Sequence, residues 1–276
     1  MKTFKKFAFA FLILTGIFLT ACDEFDEYDD NPPSVPRNVY TVTGDNRVDI
    51  FWDASYDDDV AGYNIHRGYS ESGTYKLIGS TNDTYFVDYN VNNGVTYYYA
   101  IEAYDYNGNV SDWRDVFIVY DTPRPEGFNQ AVFDYNRAPN SAGYSFKNYL
   151  VVPYDGDAAD FFFENFNGTY YINVWDDSDI QDMGRTNDIW DISYAPSSGW
   201  VPLNQGENVK YTEAIVGHTY IIWTWDNHFA KIRVKSIGGD RMVFDWAYQL
   251  VEGNPELKIK QPDGERKTHQ ALLKMN

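Results

Sequence analysis

The chain consists largely of short runs in which apolar and polar residues alternate, and this two-residue period is typical of a β-strand with one buried face. Residues 47–52 and 62–67 alternate in this way, and a longer run follows at 96–104. Aromatic residues make up 18% of the chain, a composition that favours strands. No long amphipathic helical pattern occurs after the N-terminal apolar segment. The sequence therefore predicts an all-β protein.

The N-terminus has the parts of an export signal. Three lysines precede an apolar run at 7–18, which is shorter than the ~20 residues that a membrane-spanning helix needs. The run ends in Leu19-Thr20-Ala21-Cys22, which resembles the lipobox of bacterial lipoproteins. The resemblance implies that residues 1–21 are a signal peptide and that Cys22 is acylated, with palmitate or a similar chain, as the first mature residue. Cys22 is the only cysteine, so no intramolecular disulfide competes with this interpretation.

An acidic segment follows the cysteine. Six of the eight residues at 23–30 are Asp or Glu, and residues 22–33 are predicted to be a solvated tether. The run resembles the surface-export signal of Bacteroidetes lipoproteins, which implies a surface-exposed location on the outer membrane of the cell envelope. Removing residues 1–21 removes three lysines and no acid, so the net charge of −19 becomes −22 in the mature chain. This charge argues against nucleic-acid partners.

Length and proline content predict two domains. About 250 mature residues suggest two units as a starting expectation, and residues 123–127 have the composition of a stiff, extended, proline-rich linker. We therefore expect one domain at 34–122 and a second at 128–260, followed by a polar tail at 261–276.

The first of these domains carries a series of motifs in a defined order. They are Pro33-x-x-Pro36, Trp52, Gly62-Tyr63-x-Ile65-x-Arg67, Gly73-x-Tyr75, Gly94-Val95-Thr96-Tyr97 and Gly108-Asn109. Together they resemble a bacterial fibronectin type III domain, which implies an immunoglobulin-like β-sandwich that acts as a spacer or an interaction module. The resemblance places Tyr97 at a tyrosine corner, with its hydroxyl bonded to backbone upstream, and Trp52 in the core.

The second domain is rich in tryptophan and in hairpin signals. Six of the eight tryptophans lie after residue 128, and Asn167-Gly168 is a strong turn signal between two apolar runs. Further turns at Asp226-Asn227 and at 238–240 predict a three-stranded antiparallel meander. The expected fold is thus a fibronectin type III sandwich followed by a second β-rich domain of antiparallel meanders.

The order of residues 188–194, 217–220 and 229–249 resembles the HmuY-type lipoproteins of Bacteroidetes, some of which bind haem through paired histidines. The resemblance implies capture of haem or a small ligand as an alternative function. His218 and His228 are the only histidines of this domain. A hairpin that turns at Asp226-Asn227 would separate them by roughly 25 Å along the ribbon, too far to hold one haem between them.

Two groups of residues are candidate binding sites. Asp176, Asp177 and Asp179, with Asp182 nearby, offer the oxygen ligands that Ca²⁺ prefers, although they lack the glycine and the distal glutamate of an EF-hand loop. The second group is aromatic, and its candidate ligand-binding residues are Trp200, Trp223 and Trp225. Alternation places the last two on one strand face with Ile221, where exposed rings would stack on sugars and buried rings would fill a thin core.

Catalytic motifs are absent from the sequence. There is no Gly-x-Ser-x-Gly elbow, no His-Glu-x-x-His pair and no phosphate-binding loop, and with 41 acids no single carboxylate pair is informative. The sequence therefore favours a non-enzymatic envelope lipoprotein that presents a binding domain, for a glycan or a protein, on a fibronectin type III spacer. Haem or small-ligand capture, and an unrecognised glycan-active enzyme, stay open as alternatives.

Overall fold

A computed structural model describes residues 29–257. The predicted signal peptide, Cys22 and the polar tail at 261–276 lie outside the described residues. Within the described part, no helix has the length and apolar character needed to cross a membrane. The strands are β1 (Arg37–Gly44), β2 (Arg47–Asp53), β3 (Val60–Gly68), β4 (Lys76–Thr81), β5 (Tyr85–Asp88), β6 (Tyr97–Asp105), β7 (Ile118–Asp121), β8 (Glu126–Phe133), β9 (Gly143–Ser145), β10 (Leu150–Val152), β11 (Phe161–Phe166), β12 (Thr169–Trp175), β13 (Asp179–Arg185), β14 (Val209–Glu213), β15 (His218–Trp223), β16 (Phe229–Gly238) and β17 (Arg241–Tyr248).

Strands β1 to β7 form the first sandwich. A three-stranded sheet in the order β1-β2-β5 faces a four-stranded sheet in the order β4-β3-β6-β7, and all neighbours are antiparallel. The inward faces bury one continuous apolar core, in which Trp52 packs edge-on against Tyr63 with ring centroids 5.3 Å apart. The predicted fibronectin type III-like sandwich is confirmed by this arrangement.

Strands β8 to β17 form a second sandwich of two five-stranded sheets, in the orders β10-β9-β11-β12-β14 and β13-β15-β16-β17-β8. The predicted hairpin at Asn167-Gly168 joins β11 to β12, and both turn residues have positive φ. The predicted meander is β15-β16-β17, and the structure adds β13 and β8 at its two edges. The prediction of an all-β chain is therefore confirmed.

The same four-residue motif, Gly-x-Thr-Tyr, begins a central strand in each sandwich. The tyrosine hydroxyl accepts a hydrogen bond from the backbone five residues upstream: Tyr97 from Asn92 N–H at 3.0 Å, and Tyr220 from Ile215 N–H at 2.8 Å. The glycines of the two motifs have φ of +79° and +88°, a region that favours glycine. The expected tyrosine corner at Tyr97 is confirmed, and the second sandwich has its own counterpart.

We predict that removing either hydroxyl destabilises its sandwich. Tyr97→Phe leaves one backbone N–H without its acceptor, which costs about 1–2 kcal/mol. Tyr220→Phe should cost more, because Tyr220 also donates to the carbonyl of Glu213 at 2.7 Å. Urea unfolding measures both changes, with Tyr106→Phe, whose side chain is 80% exposed, as the matched control. Equal stability of all three variants would contradict this assignment.

One buried carboxyl should make stability depend on pH. Asp160 precedes β11, and its Oδ2 accepts the amide hydrogen of Phe146 at 2.7 Å. Burial raises the pKa of Asp160 from 3.8 to about 7. The folded protein therefore binds this proton more tightly than the unfolded chain does, and stability falls as pH rises from about 4 to about 7.

We expect Asp160→Asn to stabilise the protein at pH 8, by up to about 4 kcal/mol, because the amide carries no charge to desolvate. At pH 3.5 the variant and the wild type should unfold alike. Thermal unfolding at the two pH values measures the difference, and Asp157→Asn, an exposed position of the same loop, is the control. If Asp160→Asn changed the unfolding temperature by the same amount at both pH values, the charge of Asp160 would not be the cause of the stabilisation.

Candidate functional site

An aromatic surface lies at the end of the β15–β16 hairpin. Trp223 is the last residue of β15 and pairs across the hairpin with Phe229, the first residue of β16. Their rings stack with centroids 5.2 Å apart, and the ring of Trp200 lies 6.0 Å from that of Trp223. Trp225 follows in the turn. We call these four residues the aromatic surface.

The members of the aromatic surface differ in exposure. Phe229 is buried and, with Ile221 and Leu257, forms a small core against which Trp200 packs. Trp223 is 36% exposed and Trp225 52% exposed. The aromatic surface thus divides into a buried or partly buried set that stabilises the sheet, Phe229 and Trp200, and a more exposed set at the end of the hairpin, Trp223 and Trp225.

Trp225 is not on the strand face that alternation predicts. Strand β15 ends at Trp223, and the chain turns at once because Thr224 N–H donates to the carbonyl of His228 at 2.8 Å and the Thr224 hydroxyl donates to Asp226 at 2.6 Å. The prediction that Trp223 and Trp225 share a strand face is therefore wrong. The early turn leaves Trp225 more exposed than a strand position beside Ile221 would.

Polar groups border the exposed indoles. Trp223 Nε1 donates to Asn227 Oδ1 at 2.9 Å, and Asn227 Nδ2 donates to Glu252 Oε1 at 3.3 Å. The backbone of Asn227, which has a φ of +64°, is held on both sides: its N–H donates to Thr224 and its carbonyl accepts from Gly253. An amide and, through it, a carboxylate are thus fixed at the edge of the Trp223 indole.

Trp200 is placed by the long connection at 186–208, which crosses the outer face of the β15–β16 region. Lys231 has no exposed surface, and its Nζ donates to the carbonyl of Ile192 at 2.8 Å. The amide following Trp200 donates to the carbonyl of Ile180 in β13. Sequence reasoning missed this anchor, because Lys231, Arg233 and Lys235 alternate with apolar residues along β16, and alternation assigns such lysines to an exposed face.

The aspartates predicted as cation ligands do not converge. Asp176 and Asp177 are exposed, whereas Asp179 accepts a hydrogen bond from Lys210 Nζ at 2.8 Å. Asp182 contacts His218 Nδ1 at 2.9 Å. Asp179 is thus in an ion pair with Lys210, and Asp182 contacts a histidine ring, so the structure does not bring these carboxylates together as a set of oxygen ligands.

A different acidic group lies in the first sandwich. Among residues 29–257, the carboxylates that approach one another within 4.8 Å as a group of three are those of Asp29, Asp59 and Asp105. The carboxylate of Asp105 already accepts the amide hydrogens of Asn107 and Asn109. The carboxylate of Asp105 is therefore tied into its own loop.

The two histidines of the second sandwich lie apart. His218 begins β15 and contacts Asp182, whereas His228 lies beside the turn and its Nδ1 is 3.0 Å from the carbonyl oxygen of Gln249. Six residues of hairpin separate the two positions, because His228 is bonded opposite Thr224. The described geometry supplies no facing histidine pair for a haem.

Comparison with known proteins gives relatives for part of the chain. No protein-family model matches it. The chain is similar to the amylopullulanase of Thermoanaerobacterium saccharolyticum, with 44% identity over 108 residues, which is 39% of this chain and 8% of that protein. It is 41% identical to the amylopullulanase of Thermoanaerobacterium thermosulfurigenes over 108 residues, 39% of this chain and 6% of that protein. The chain covers less than a tenth of these relatives.

Solved structures with partial similarity cover about a third of the chain. One is a protein described as FN3tt, with a TM-score of 0.29, 23% identity, and coverage of 34% of this chain and 96% of that one. Another is an Fn3-like protein from Clostridium thermocellum, with a TM-score of 0.29, 22% identity, and coverage of 35% of this chain and 100% of that one.

Proposed function

We propose that this chain is a non-enzymatic lipoprotein of the bacterial cell envelope that binds a glycan through the aromatic surface. The observation that supports this most is the pair of exposed indoles, Trp223 and Trp225, of which Trp223 is bonded to the amide of Asn227, itself bonded to the carboxylate of Glu252. The apolar face of a sugar ring stacks on an indole, and its hydroxyls bond to polar groups at the edge. The first sandwich is the spacer.

The charge of the protein points to a neutral glycan. The whole chain has a net charge of −19, and Asp226 and Glu252 lie next to the aromatic surface. Polymers that carry carboxylate or sulfate groups are repelled by such a surface at physiological ionic strength. The relatives are named amylopullulanases, and this name suggests pullulan and amylose as the first neutral polysaccharides to test.

The N-terminal segment fits an envelope location. Cys22 follows an apolar run and small residues and is the only cysteine of the chain. Two or more acyl chains give stable anchoring, because each buried CH₂ contributes about 0.8 kcal/mol. We place the protein on the outer membrane, with the acidic tether at 22–33 between the lipid and the first sandwich.

The glycan proposal predicts a tryptophan-dependent affinity. In isothermal titration of the protein expressed from Asp23, pullulan or amylose should bind, and heparin should not. Trp223→Ala and Trp225→Ala should each weaken binding at least about fivefold, because an aromatic contact contributes roughly 1 kcal/mol. Trp113→Ala is the matched control, since Trp113 is a 41% exposed tryptophan of the first sandwich.

Thermal unfolding separates loss of binding from loss of structure. Trp225→Ala should unfold as the wild type does, because its ring is half exposed in a turn. Unchanged affinity in both aromatic-surface variants would contradict the site. A Soret shift on addition of haem, without glycan binding, would favour the haem-capture alternative.

The anchoring proposal predicts lipid labelling at one residue. The full-length wild type should incorporate radiolabelled palmitate and fractionate with outer membranes. Cys22→Ser should do neither, because no other thiol is present. Protease treatment of intact cells should degrade the wild type if it faces outwards. Labelling that persists in Cys22→Ser would contradict lipidation at this residue.

A further inference from the structure

The segment that connects the two sandwiches is buried along its whole length. All five residues from Asp121 to Pro125 are buried, and Arg124 is 1% exposed. Proline and arginine in a connecting segment ordinarily indicate a solvated spacer. Here the segment is only four residues long between the end of β7 and the start of β8. We call residues 122–125 the junction.

Backbone hydrogen bonds attach the junction to both sandwiches. On the side of the first sandwich, Gly94 N–H donates to the Pro123 carbonyl at 2.7 Å, and Arg124 N–H donates to the Gly44 carbonyl at 3.2 Å. On the side of the second, Tyr248 N–H donates to the Pro125 carbonyl at 3.0 Å. Pro123 and Arg124 are thus bonded to the first sandwich and Pro125 to the second. These bonds on adjacent residues restrict rotation of one sandwich against the other.

Side chains of the two sandwiches also meet directly. Leu250, which follows β17, lies against Gly94 in the turn before β6, so that a Cβ added to Gly94 would stand 3.3 Å from the Leu250 Cβ. Tyr120 of β7 interacts with the carboxyl of Glu256, which is also 3.5 Å from the hydroxyl of Tyr194. The contact between the sandwiches therefore extends on both sides of the junction.

The centre of the junction is a buried cation. None of the three guanidinium nitrogens of Arg124 has a hydrogen-bond partner among residues 29–257. The guanidinium stays protonated in a protein, so its charge must be balanced by neighbouring charges. The carboxylates that act on it are those of Glu126, Asp121 and Glu256. Asp121 ends the first sandwich and the other two belong to the second.

We propose that the junction holds the two sandwiches in one fixed orientation, with Arg124 as a cation shared between carboxylates of both. A buried ion contributes specificity more than net stability, because its desolvation offsets the attraction. A rotated arrangement of the sandwiches would leave the guanidinium or a carboxylate buried without its counter-charge. Asp121 and Glu126 stay near Arg124 in any orientation, because they lie within three residues of it, whereas Glu256 acts on Arg124 and on Tyr120 of the first sandwich where the two sandwiches meet. In this proposal the protein is one rigid body rather than two independently moving domains.

Distance measurement between spin labels tests the fixed orientation directly. The protein expressed from Asp23 has no cysteine, so Glu71→Cys and Gln205→Cys, both exposed, introduce one label in each sandwich. Pulsed electron paramagnetic resonance should give one narrow distance distribution for this otherwise wild-type protein. A broad or multimodal distribution would overturn the proposal, and this measurement does not depend on any change in the junction.

Substitution of Arg124 tests the role of its charge. Arg124→Met keeps most of the volume but leaves the carboxylates without their cation, so the label distribution should broaden. Calorimetry should change from one unfolding transition to two. Adding Asp121→Asn to the Arg124→Met variant removes a buried negative charge that has lost its cation. The double variant should therefore partly recover unfolding in a single transition. Arg37→Met is the control, since Arg37 is an exposed arginine whose guanidinium lies 4.8 Å from the ring of Tyr56.

The outcomes separate a charge role from simple space-filling. If Arg124→Met kept both the narrow distribution and the single transition, the shared-cation role would be wrong. If Arg124→Met failed to fold, partial recovery by Asp121→Asn would support the proposal, and failure to recover would overturn the role of Asp121. None of these readouts involves a glycan, so they stand apart from the proposed binding function.

Discussion

Packing of aromatic rings between two sheets holds the second sandwich together, and it fixes the sheet whose β15–β16 hairpin carries Trp223 and Trp225. Tyr144 has no exposed surface, and its ring lies 5.3–6.1 Å from four others: Phe146, Phe161, Phe244 and Trp246. Such pairs contribute about 0.5–1.5 kcal/mol each beyond the area they bury. Because the only cysteine lies outside this region, no disulfide assists the packing. Trp246 is buried in this core, whereas Trp223 and Trp225, at the end of the β15–β16 hairpin, lie outside it.

The sheet that carries the aromatic surface is buried on both faces, which strand alternation alone does not indicate. Its inner face packs into the aromatic core, and its outer face is covered by the connection at 186–208 and by Leu257. Lys231 is completely buried there because the covering chain supplies a carbonyl acceptor. The exposed indoles lie at the end of the hairpin, where the cover stops at Trp200 and the turn carries Trp225 out of the sheet.

Local patterns in the sequence predicted local structure well, and they failed where distant segments meet. Turn residues between alternating runs predicted the Asn167-Gly168 hairpin and the Asp226-Asn227 turn, and the resemblance to fibronectin type III domains predicted the corner at Tyr97. They could not show that β8 pairs with β17, because more than a hundred residues separate the two strands. The ion pair of Asp179 with Lys210 was hidden for the same reason, and it removed a predicted cation ligand. The predicted position of Trp225 was wrong because the Thr224 hydroxyl closes the turn one residue after Trp223.

Burial withdraws both signs of charge from the outer surface, and among residues 29–257 it withdraws more acids than bases: Asp49, Asp88, Asp105, Asp121, Asp134, Asp160 and Asp245 are buried. Arg124 and Lys231 are buried, and Lys210 is largely covered where it pairs with Asp179. Arg67 likewise points inward to Asp88, at 2.7 Å. Each ion-paired cation and its acid cancel in the field outside, so the sign of that field follows from the excess of acids in the chain, whose net charge is −19. A neutral glycan, as proposed above, is not repelled by this field, and its apolar faces and hydroxyls match an exposed indole beside an amide.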